Sequence, residues 1–145
     1  MKSKLVGILL VAVLLMSLCG CSAGDASIQA NADTFLVRFQ VDCEDEVFGI
    51  HFEYYLDGDP AGGGLTGNAN GSALNTGEAL TKDFIPADFP EGADLSQFQL
   101  EIFVVDEQGQ EYPCAEVLSF AAAYGHVYDI TISGSYNAGF FADKK

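Results

Sequence analysis

Apolar and polar residues alternate with a period of two in four stretches of this chain. From Thr34, residues Phe35, Val37, Phe39 and Val41 share one face, with Arg38 and Gln40 on the other. From Phe48, the residues Phe48, Ile50, Phe52, Tyr54 and Leu56 oppose Gly49, His51 and Glu53. Phe98, Leu100, Ile102 and Val104 oppose Gln99 and Glu101, and Tyr128, Ile130 and Ile132 oppose Asp129 and Thr131. Side chains of a β-strand point to alternate faces, so each run predicts a half-buried strand. Weaker strands are expected over 79–85 and 110–118, the second demoted to an edge or bulged strand by Pro113.

Punctuation between the runs completes the pattern. Asp106-Glu107-Gln108-Gly109 suits a type I turn closing a hairpin. Residues 87–97, with Pro90 and Gly92, read as a connection carrying one helical turn at 93–97. The glycine-rich segment 57–77 reads as a long mobile connection, a kind usually functional or disordered in a small domain. No stretch sustains a 3.6-residue period. Short strands with one apolar face each predict an all-β fold, a single antiparallel β-sandwich over 34–145.

That layout is similar to the immunoglobulin-like and transthyretin-like sandwich domains of bacterial surface lipoproteins. The likeness is one of pattern, and the chain lacks the buried Trp of true immunoglobulin domains, having no Trp at all.

The N-terminus has a different character. Lys2 and Lys4 precede a charge-free apolar run over 5–18, shorter than the roughly 20 residues of a spanning helix. A basic start followed by a short apolar stretch reads as a secretory signal-peptide helix. Leu18-Cys19-Gly20-Cys21 resembles the bacterial lipobox, in which a small residue precedes the cysteine that is lipidated and then becomes the N-terminus. Gly20 makes Cys21 the match, since Cys19 would put Leu18 in the small position. The resemblance implies a signal peptide over 1–20, a palmitate-type lipid on Cys21, and attachment to the extracytoplasmic face of a bacterial membrane. Residues 21–33 then read as a flexible tether, long enough to lift a domain up to about 40 Å from the headgroups.

Charge narrows the partners. The chain has six Lys and Arg against 21 Asp and Glu, a formal charge of −15. Removing 1–20 takes away Lys2 and Lys4 and no acid, leaving four basic residues against 21 acidic ones, or −17. Such a surface repels phosphates, which excludes nucleic acid, and repels anionic headgroups, so the lipid does the anchoring.

Two cysteines remain after processing. Cys43 and Cys114 form an even pair in an exported domain, where a disulfide is expected. A Cys-His nucleophile with His51 or His126 is disfavoured, because Glu44, Asp45 and Glu116 beside the cysteines oppose a thiolate. No G-x-S-x-G or H-E-x-x-H motif occurs, and the glycine run lacks the lysine of a phosphate-binding loop.

Asp57 and Asp59 open a stretch with a partial likeness to a calcium loop, with Gly62 at the turn and Asn68 or Asn70 as further ligands. Ala61 and Asn68 depart from that pattern, so Ca²⁺ is a weak expectation and no other cofactor is expected. The tail aromatics Tyr136, Phe140 and Phe141 either complete the core or form an exposed platform for a glycan or a neighbouring protein. The sequence therefore predicts a lipid-anchored, non-catalytic binding or structural module of the bacterial envelope, contacting a protein or glycan through 57–77 or the tail. A small envelope enzyme or accessory subunit using carboxylates, and an adhesion or pilus-type subunit, are the alternatives.

Overall fold

A computed structural model describes residues 28–145. The expected signal peptide, the Cys21 lipid site and the first part of the tether lie outside them. Nine strands form two sheets: β1 (Phe35–Cys43), β2 (Gly49–Leu56), β3 (Asp59–Gly67), β4 (Ala79–Phe84), β5 (Phe98–Val105), β6 (Glu111–Pro113), β7 (Leu118–Phe120), β8 (Val127–Ser135) and β9 (Gly139–Lys144). One sheet has the order β4-β1-β8-β9, the other β3-β2-β5-β6, with β7 also on β5. All pairings are antiparallel except β1 with β8. The fold is the expected all-β sandwich. Among the described residues, helix is confined to single 3-10 turns at Pro86–Asp88 and Leu95–Gln97, the second capped by the Asp94 carboxylate on the Ser96 amide.

The alternating apolar residues meet between the sheets. Phe35, Phe39, Ile50, Phe84, Phe98, Leu100, Ile102, Ile130 and Ile132 are completely buried. One end of this core is aromatic: Phe35 stacks on Phe84 at 4.8 Å and meets Phe98 edge-on at 5.5 Å, while Tyr54 meets Phe84 edge-on at 5.1 Å. Offset and edge-on rings add to simple area burial.

The segment 57–77 departs from its expected form. Asp57 and Gly58 both have positive φ, 50° and 84°. They make the two-residue turn that suits a tight hairpin, and β3 runs back along β2 for nine residues. The glycines are there for packing: a Cβ at Gly62 would overlap the Tyr54 ring, and one at Gly64 would lie 2.9 Å from Phe52 Cζ. Only 68–78 remains a connection, tied down where Leu74 bridges Val47. The expected strand over 110–118 divides at Pro113 into β6 and β7.

The sandwich is closed on one side and open on the other. On the closed side Cys114 bridges Phe140, and the Ala115 amide donates to the Phe140 carbonyl at 2.9 Å. On the open side lie the outer strands β3 and β4.

Candidate functional site

Three connections converge at one end of the sandwich. The β1–β2 connection carries Glu44, Asp45 and Glu46, the β5–β6 turn carries Asp106, Glu107 and Gln108, and the β8–β9 turn carries Tyr136. Together with Phe48 and Tyr112 they line an open cleft of about 510 Å³, within the usual range for ligand pockets.

Each part is held by a specific bond. The turn 106–109 closes as the sequence expects: the Gly109 amide donates to the Asp106 carbonyl at 3.0 Å, and the Gln108 and Gln110 amides donate to Asp106 Oδ1 at 2.9 and 2.8 Å. The other Asp106 oxygen accepts the Tyr112 hydroxyl at 3.2 Å. Asp45 accepts the Tyr136 amide at 2.8 Å, and the Tyr136 hydroxyl donates to the Glu46 carbonyl at 2.9 Å. The Tyr112 and Tyr136 rings meet edge-on at 4.8 Å, backed by buried Phe140.

The cleft thus has five carboxylates at its rim and aromatic surfaces in its wall. Burial, with the nearby Asp106 carboxylate adding to it, raises both phenols, Tyr136 to about 12 and Tyr112 above its ordinary value. Both stay protonated at neutral pH and act as hydrogen-bonding, aromatic groups. No histidine, lysine, serine or cysteine lines the cleft. Carboxylates there attract positive charge, and ring faces favour it further.

A second acidic group occupies the outer face of the five-stranded sheet. Glu53 and Glu101 stand directly opposite on β2 and β5. The Tyr55 hydroxyl lies 2.7 Å from Glu53 and 3.0 Å from Glu101, and these two bonds hold the phenol strongly protonated. His51 stacks on Phe103 at 5.2 Å with Nδ1 3.2 Å from Glu111, off the line of a hydrogen bond.

The residues singled out in the sequence are scattered. Asp57 sits in the β2–β3 turn and Asp59 begins β3; Gly62, the expected turn of a calcium loop, is extended. No group of three metal-ligating side chains gathers among the described residues. Of the tail aromatics, Phe140 is 2% exposed and belongs to the core, Phe141 is 48% exposed on β9, and Tyr136 forms the cleft wall. They make no shared platform, because neighbours in a strand face opposite sides.

The expected Cys43–Cys114 disulfide is absent; both thiols are free. Cys43 pairs with Gly134, Gly134 with Phe140, and Phe140 bridges Cys114. Cys114 lies in the core and Cys43 packs against it, without an S–S bond. The Cys43 thiol instead faces the Ile132 carbonyl at 3.5 Å. Burial pushes Cys43 up to about 11 and, with Cys43 nearby adding to it, Cys114 up to about 12, which disfavours the thiolate at both.

Comparison with known proteins adds no family. No family model matches the chain, and no curated protein matches it. Among solved structures, the chain is similar to an NMR structure of a protein from Eubacterium rectale, at 14% identity and a TM-score of 0.42, over 80% of this chain and 92% of that one. A disulfide-locked Intermedilysin mutant with human CD59 is similar at 8% identity and a TM-score of 0.39, over 77% of this chain and 24% of that one. A structure described as a Gram-negative toxin follows at 8% and 0.38, over 79% and 23%. The chain spans about a quarter of the length of these last two.

Proposed function

We propose that this protein is a lipid-anchored, non-catalytic binding module of the bacterial envelope whose cleft takes a cationic group of a partner. The observation that carries the reading is the cleft wall: Tyr112 and Tyr136, both protonated, beneath Glu44, Asp45, Glu46, Asp106 and Glu107. Such a site suits a lysine or arginine side chain of an envelope protein, or an amino group of a glycan. A net charge of −17 after processing draws cationic partners from a distance and repels phosphates. Leu18, Gly20 and Cys21 support the anchor.

Two measurements test this. Labelled palmitate should enter the wild-type protein and not Cys21→Ala; label retained by the variant removes the anchor from the reading. A Glu44→Gln, Glu46→Gln, Glu107→Gln protein should stay folded and lose partners captured by the wild type. Capture unchanged in that protein removes the cleft.

A further inference from the structure

Strand β3 leaves an unusual edge. The Asp57 amide donates to the Gln97 carbonyl at 3.1 Å, which fixes the alternation along β2: odd residues bond to β5 and even residues to β3. Gly64 and Thr66, opposite Phe52 and Ile50, therefore bond inward. Gly63 and Leu65 turn both their N–H and C=O groups to the open side.

The other sheet margins carry the devices that normally prevent strand pairing. Strand β4 bears Lys82 and Asp83, β6 and β7 have three residues each with Pro113 in β6, and β9 is covered by Cys114 and Ala115. Charges, proline, shortness and covering are the common protections of an edge. From Ala61 to Gly67, β3 has none of these; Pro60 and the bulge beside Tyr55 lie before that stretch. Leu65, 68% exposed, is the most exposed large apolar residue of the described chain. Gly62 and Gly64 are accounted for by the rings of Tyr54 and Phe52, and Gly63 and Gly67 by close approach to the Phe52 and Phe48 carbonyls, but the bare edge is not.

Charge identifies the occupant. The basic residues of the described chain, Arg38, Lys82, Lys144 and Lys145, all belong to or follow the four-stranded sheet. The five-stranded sheet has none. Lys82, on the open side, is engaged by Asp83 and Asp88. Beside β3 stand Glu53, Asp57 and Asp59, and at its far end Asp106 and Glu107 line a groove of about 350 Å³ with Leu65, Thr66 and Gly67. A second copy would bring like charges together. We infer that β3 is a strand-addition site, taking an extended basic segment of a partner protein along Ala61–Gly67, with backbone bonds to Gly63 and Leu65 and lysines or arginines over the flanking acids. This surface shares Phe48, Asp106 and Glu107 with the cleft at one end, but the edge at Ala61, Gly63 and Leu65 is not part of the cleft, and either site can fail without the other.

The probe is a blocked nine-residue peptide alternating lysine and valine, added to the full chain, with amide hydrogen exchange read residue by residue. Exchange at Gly63 and Leu65 should slow at least tenfold, with no change at 44–46 or at Tyr136, which line the cleft and not the groove. Leu65→Pro removes an edge donor that faces solvent, where proline is tolerated, and should weaken the peptide at least tenfold. Leu65→Lys keeps the donor and repels the peptide; it decides the matter if Leu65→Pro does not fold, and is expected to weaken binding by a similar factor. A peptide with serine for lysine should bind at least tenfold more weakly. Unchanged affinity in Leu65→Lys, protection confined to the cleft, or equal binding of the serine peptide overturns the proposal.

Discussion

Asp45 and Tyr136 are 91 residues apart, and the Asp45 carboxylate accepts the Tyr136 amide at 2.8 Å. That bond joins the first connection of the domain to its last turn. With the Tyr136 hydroxyl on the Glu46 carbonyl, it sets the aromatic wall of the cleft against its acidic rim.

Tyr136→Phe removes one hydroxyl bond and leaves the ring in place. It should lower the unfolding free energy by about 1 kcal/mol in urea titration, the usual net value of one such bond. Tyr136→Ala also removes contacts with Tyr112 and Phe140 and should cost about 2 kcal/mol, below the range for a fully buried ring. Equal losses in the two variants would show that the ring contributes nothing.

Gly64→Ala should destabilise by roughly 1–3 kcal/mol, because the new methyl group meets the Phe52 ring in a packed core. Gly71→Ala, in open space with φ of 71°, should cost about 1 kcal/mol from backbone strain alone. A mobile connection at Gly64 would tolerate alanine, and a midpoint unchanged or raised there would contradict the hairpin.

The free thiols, Cys114 buried and Cys43 half-buried, give a pH dependence. In the unfolded chain a cysteine loses its proton near its ordinary value of 9, whereas Cys43 and Cys114 hold theirs to about 11 and about 12. The unfolded state then binds fewer protons, so stability should fall as pH rises from about 9 towards 12. Both thiols should resist iodoacetamide at pH 8 and react in urea without reductant. Reaction in urea only after reduction would mean they are bridged.

The strands that announced themselves in the sequence are those whose apolar alternation is written in their own side chains. Phe35 to Val41 and Phe98 to Val104 reappear as the core faces of β1 and β5. Strand β3 stayed hidden because its inward positions, Gly62 and Gly64, are filled by rings from β2, and glycine carries no apolar signal. The Asp57-Gly58 pair was a legible hairpin mark, obscured by the calcium-like spacing around it. The acids of 42–46 and 106–109 were visible as separate loops. Their meeting depends on β2 pairing with β5 in the register that places Gly49 opposite Val105, which no local pattern encodes. Likewise Phe140 and Phe141 look alike in sequence, and only strand phase separates a core residue from an exposed one.

The central claim is that the cleft receives a cation, and the most direct measurement is a nuclear magnetic resonance titration of the full chain with Nα-acetyl-arginine amide. The account predicts saturable shifts at the Tyr136 and Gln108 amides and at the Tyr112 ring, weakened several-fold in Glu46→Gln and by added salt. Shifts that never saturate, that fall outside the cleft, or that persist unchanged in Glu46→Gln would contradict it.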